Sequence, residues 1–84
     1  MSVDQASSSS PRVFTVAWDL AQKKFIVRDD RSELLGMAAE RANAIGIAIR
    51  CANTASKAGG YVAVQVLMQS GKYRTEYITP LIWS

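Results

Sequence analysis

The stretch from Ser32 to about Ala58 constrains the fold more than any other part of the chain. Taken at about 100° per residue, Leu34, Leu35, Ala38, Ala42, Ile45, Ala48, Ile49, Ala52 and Ala55 fall on one broad arc, and Glu33, Glu40, Asn43, Arg50 and Thr54 fall on the other. That spacing predicts one long amphipathic helix. Ser32 is placed to cap its N-terminus, with Glu33 in the positive first turn. Lys57 in the last turn and the Gly59-Gly60 pair mark its end. Gly46 is the weak point, because an interior glycine costs about 1 kcal/mol relative to alanine, and Ile45 to Ile49 alone would also suit a buried strand. The alanines continuing to Ala55 favour a single helix.

Strand-like segments flank this stretch. From Arg12 to Trp18, Phe14, Val16 and Trp18 alternate with Val13, Thr15 and Ala17, and from Lys24 to Arg28, Phe25 and Val27 alternate with Ile26 and Arg28. A loop at Leu20 to Lys23 sets Trp18 opposite Phe25 and Val16 opposite Val27, gathering the large apolar groups on one face. Beyond the glycines, Tyr61 to Gln69 is the strongest strand, followed by Ser70-Gly71 as a two-residue hairpin turn. That turn predicts Met68 opposite Tyr73, Val66 opposite Thr75 and Val64 opposite Tyr77. The reverse face then pairs Leu67 with Arg74, Gln65 with Glu76 and Ala63 with Ile78, and Pro80 ends the strand. The expected fold is α+β: a ββαββ chain whose two hairpins form an antiparallel sheet with one long helix on one face. Residues 1–11, rich in serine and without an apolar pattern, are expected to be a flexible N-terminal tail, and residues 12–84 a single domain.

A chain of 84 residues has room for one domain with a thin core. The net charge of +3, from ten basic and seven acidic residues without a run of like sign, implies at most modest attraction to polyanions. A single cysteine, Cys51, and an N-terminus unlike a signal peptide point to a cytoplasmic setting. No apolar run approaches the ~20 residues of a membrane-spanning helix. Histidine is absent, so the commonest general base and the commonest metal ligand are both missing.

No motif for a cofactor, a metal or a small-molecule substrate stands out, and no catalytic residues can be assembled. Cys51 lacks an activating histidine and reads as a small core hydrophobe. Asp29 and Asp30 are adjacent, so in extended chain they point apart and suit a cap or solvent better than a shared ligand. Gly59-Gly60 follows a helix and precedes a strand, the reverse of a nucleotide-binding turn. Arg41 falls inside the apolar arc, where its stem is expected to snorkel past the sheet edge, the alternative being a guanidinium paired with a carboxylate across an interface. Phe14, Trp18, Phe25, Tyr73 and Tyr77 lie among basic residues, as in a base-stacking platform, but they share sides with the valines and are therefore expected in the core.

Two functional expectations follow. The first is a small non-enzymatic interaction or assembly module, a homodimer or a binder of another protein, using Ile47 on the polar side of the helix and the C-terminal Leu81, Ile82 and Trp83. The alternative is a non-sequence-specific nucleic-acid binder whose open sheet face carries Lys24, Arg28, Lys72 and Arg74.

Overall fold

The structure, a computed structural model, describes residues 12–80. The expected tail and the Leu81, Ile82 and Trp83 segment lie outside the described residues. The elements in order are β1 (Arg12–Asp19), β2 (Lys24–Arg28), β3 (Leu34–Ala38), α1 (Arg41–Lys57), β4 (Val62–Leu67) and β5 (Tyr73–Thr79). The strands form one mixed sheet in the order β3-β2-β1-β4-β5, with α1 against one side. The α+β class is therefore as expected. The ββαββ order and the wholly antiparallel sheet are not: a third strand precedes the helix, and β4 runs parallel to β1.

The first hairpin follows the alternation of its residues. Trp18 pairs with Phe25 and Val16 with Val27, and the loop closes through Lys23 N donating to Asp19 O at 2.7 Å. The next turn explains why the helix does not begin at Ser32. Asp29 Oδ1 accepts from the backbone N of both Arg31 and Glu33 at 2.8 Å, and Ser32, at φ 66, sits in the left-handed region. An Asp side chain that satisfies nearby amides offers the backbone an alternative to a helical start. Asp29 thus builds a turn into β3, and Ser32 is part of that turn instead of a cap. Leu34, Leu35 and Ala38 fit a strand as well as a helix, and pairing with the preceding strand β2 across the Asp29 turn decides for the strand.

Gly36 shows what the strand assignment achieves. A Cβ placed there would lie 3.0 Å from Ile47 Cγ2, so the missing side chain lets α1 approach β3 closely. Ile47 is accordingly half-buried against the core and not on a polar outer face. Gly46 does not interrupt α1, which runs unbroken to Lys57.

On the covered side Phe14, Val16, Val27, Val62, Val64 and Val66 meet Ala44, Ala48 and Ala52, each 2% exposed or less. The alanines recur every fourth residue and bring the helix axis close to the valines. Tyr77 is partly buried beside them, its hydroxyl donating to Asn53 Oδ1 at 3.0 Å. Trp18 departs from expectation, since it is 47% exposed at the far end of the same side.

The second hairpin departs from the expected register near its tip. Val64 opposes Tyr77 and Ala63 opposes Ile78 as expected, but Gln65 opposes Thr75, Val66 opposes Arg74 and Leu67 opposes Tyr73. The turn is longer than two residues: Met68 N donates to Lys72 O at 2.8 Å, and Gly71 takes φ +90. The residue gained there is absorbed as a bulge at Glu76. A one-residue shift reverses sides, so Tyr73 moves to the open face and Arg74 to the helix side.

Candidate functional site

With α1 covering one side, the other side of the sheet has no covering layer among the described residues. Its residues form three rows across the strands. Met37, Ile26 and Ala17 are direct cross-strand partners, and Leu67, paired with Tyr73, continues that row on β4 and β5. Arg28, Thr15, Gln65 and Thr75 make the second row. Val13, Ala63 and Ile78 make the third. A polar row thus lies between two apolar ones, where a mostly polar face had been expected. The register shift at the tip and the arrival of β3 with Met37 account for the difference.

Within the polar row, Gln65 Nε2 donates to Thr75 Oγ1 at 3.3 Å, and the Arg28 guanidinium donates to Ser32 O at 3.1 Å. In the apolar rows Ile26 is 5% exposed, whereas Ile78 is 47% exposed. A parallel strand pair is ordinarily covered on both faces. Here the central β1 and β4 pair is covered on one, and Val13, Ala17, Ala63 and Leu67 stay partly accessible on the other.

The four expected polyanion contacts do not assemble. Lys24 and Arg28 share the open face on β2, but Lys24 sits opposite Asp19 and Arg28 is tied to the turn. Lys72 lies in the turn before β5, and Arg74 is on the helix side, its Nε 3.2 Å from Glu76 Oε2. β2 and β5 are separated by two strands, about 14 Å at the usual strand spacing. Ile47, the helical member of the expected interface, is packed toward Gly36.

Other ionisable groups have structural partners. Arg12 holds Asp30 in a bidentate pair, Nε to Oδ2 at 3.2 Å and Nη2 to Oδ1 at 3.0 Å. That hydrogen-bonded guanidinium draws the Asp30 carboxyl below the usual carboxylate range. Asp29 is the turn acceptor described above. Cys51 is partly buried in a cleft of about 350 Å³ that also includes Arg12, Phe14, Leu35, Arg50 and Thr54. A second cleft, lined by Trp18, Phe25, Arg41, Leu67, Met68 and Gln69, escaped sequence reasoning because it unites residues from four separate segments. Its one sequence signal was Arg41, whose guanidinium lies 5.8 Å over the Phe25 ring instead of merely reaching past an edge. Among the described residues no helix is long and apolar enough to cross a membrane. In comparisons with known proteins, no family model, no curated protein and no solved structure matches this chain.

Proposed function

We propose that this protein is a small non-enzymatic assembly module that forms a homodimer through the uncovered face of its sheet, in a cytoplasmic setting. The observation that supports it is the pair of apolar rows on a face that no layer covers among the described residues. Contiguous apolar surface of a few hundred Å² or more marks interaction sites more often than ordinary monomer surface. The five strands, about 4.8 Å apart and some five residues long, present roughly 400 Å² in projection with the polar row included. A standard interface buries about 800 Å² per partner. The sheet face therefore supplies only part of the contact, and we assign Leu81, Ile82 and Trp83, which follow Pro80 in the sequence, to the remainder. Two copies meeting face to face would bring each polar row to its equivalent, an arrangement in which Arg28, Gln65 and Thr75 set the register of a two-fold dimer.

Polyanion binding has less support, since its four cations are dispersed as described. If that reading were right, labelled single or double strands would shift at low salt and lose the shift steeply as salt is added.

Sedimentation velocity across a range of concentrations tests the dimer. The wild type is expected to sediment as a dimer at micromolar concentrations, and Ile78→Glu as a folded monomer. A wild type that stays monomeric at millimolar concentration, or an Ile78→Glu variant that dimerises equally well, would overturn the proposal.

A further inference from the structure

We infer that the cleft at the carboxyl ends of β1 and β4 binds a small organic anion with a flat apolar body. The inference does not depend on dimerisation, because Trp18, Phe25 and Arg41 stand on the helix side of the sheet, and of the lining residues Leu67 alone belongs to a row of the open face.

Topology creates the cleft. β1 and β4 are parallel neighbours, yet the chain leaves β1 toward β2 on one side and leaves β4 toward β5 on the other. The two hairpins therefore diverge at this end of the sheet, and the cleft lies between them. Trp18 stands near the end of β1, Leu67 ends β4, and Met68 and Gln69 begin the turn that departs from it. Phe25 enters from β2 and Arg41 from the first turn of α1. The resulting space is about 370 Å³, within the range of small-molecule sites, about 300 to 1,000 Å³.

The lining specifies the ligand class. Phe14 and Val16 precede Trp18 on the same side and are buried, whereas Trp18 is 47% exposed. Its ring meets Phe25 at 4.9 Å between centroids and 67° between planes, an edge-to-face pair that leaves aromatic surface open to a further flat group. Met68 adds a polarisable, adaptable wall. The single charged lining residue is Arg41, and among the described residues no carboxylate lies within ion-pair distance of it; the ion pairs formed are those of Arg12 with Asp30 and Arg74 with Glu76. An unpaired guanidinium beside aromatic rings favours a carboxylate or sulfonate, which it can engage through two parallel hydrogen bonds, with Gln69 able to add a third.

Titration of the isotope-labelled full chain with 2-naphthoate, followed by amide and indole N–H resonances, tests the assignment, with 2-naphthalenemethanol as the uncharged control. The expected result is saturable binding with shifts concentrated at Trp18, Phe25, Arg41, Met68 and Gln69. The alcohol, and naphthoate with Arg41→Met, should bind about tenfold more weakly, the loss expected for a charge-assisted hydrogen bond. Arg41→Lys, which keeps the charge but not the fork, should fall between. Arg41 is exposed, so an unchanged spectrum outside the cleft will verify that these variants fold. Absence of saturable binding up to about 5 mM, a millimolar limit typical of weak fragments, would overturn the inference. So would equal binding of the alcohol, indifference to Arg41→Met, or shifts spread over the open face.

Discussion

On its covered side the sheet sets Phe14 and five valines against an alanine stripe, all essentially sealed from water. On its other side, the same strands leave Val13, Ala17, Ala63 and Leu67 partly accessible and Ile78 half in solvent. Alternation along a strand supplies apolar residues to both sides, but one helix can cover only one of them. The difference teaches that stability and interaction are separable here. The covered side carries the core, where removing a group leaves a cavity, and the open side carries apolar area that a monomer does not need to bury.

The largest effect should come from Phe14→Ala. Truncating a buried aromatic ring typically costs about 3 to 5 kcal/mol, a large fraction of a small domain's stability, whereas Ile78→Ala on the open side should change monomer stability by about 0.5 kcal/mol or less. Urea unfolding of both variants under monomeric conditions would check this, and equal losses would break the distinction between the two sides.

A smaller effect is expected where the helix meets β3. Gly36→Val places methyl groups where Ile47 Cγ2 already sits, and overpacking of this kind costs about 1 to 3 kcal/mol. Combining it with Ile47→Ala should return part of that loss, so the double-mutant cycle should show favourable coupling. Additive losses would mean that the close approach of α1 to β3 is not what Gly36 serves.

The smallest effect concerns Arg12 and Asp30, both substantially solvent-exposed, a setting in which an ion pair contributes at most about 1 kcal/mol. The folded-state pKa of Asp30 is depressed, so this contribution is fully present above the unfolded carboxyl value, about 3.9, and is lost as pH falls through the folded value. The stability difference between wild type and Asp30→Asn should therefore be small near neutrality and vanish in acid. A difference that grows on acidification would contradict the assignment.

The contrast between sides was partly legible in the sequence. The β1 and β2 register was open to inspection because loop length and alternation agree on it, with Trp18 against Phe25 and Val16 against Val27. β3 was not, because Leu34, Leu35 and Ala38 satisfy the period of a helix and of a strand alike, and the turn formed by the Asp29 carboxylate was the local signal that distinguishes them. Parallel pairing of β1 with β4 depends on contacts some fifty residues apart, as in Phe14 with Val64, which no local pattern specifies. The tip of the second hairpin misled through a single residue: lengthening the Gly71 turn and bulging at Glu76 exchanged the sides of Tyr73 and Arg74. That exchange dispersed the expected basic patch. Trp18 shares its side with the core residues, but its place at the strand end, beside the cleft, lay beyond what alternation can tell.

The most direct test of the proposed role of the open face is a filtered NOE experiment on a mixture of isotope-labelled and unlabelled protein, which detects only contacts between copies. Intermolecular contacts among the methyl groups of Ile26, Met37, Ala63 and Ile78, with none to Ala44, Ala48 or Ala52, are the predicted result. Contacts confined to other surfaces, or none at concentrations where the protein sediments as a dimer, would contradict it.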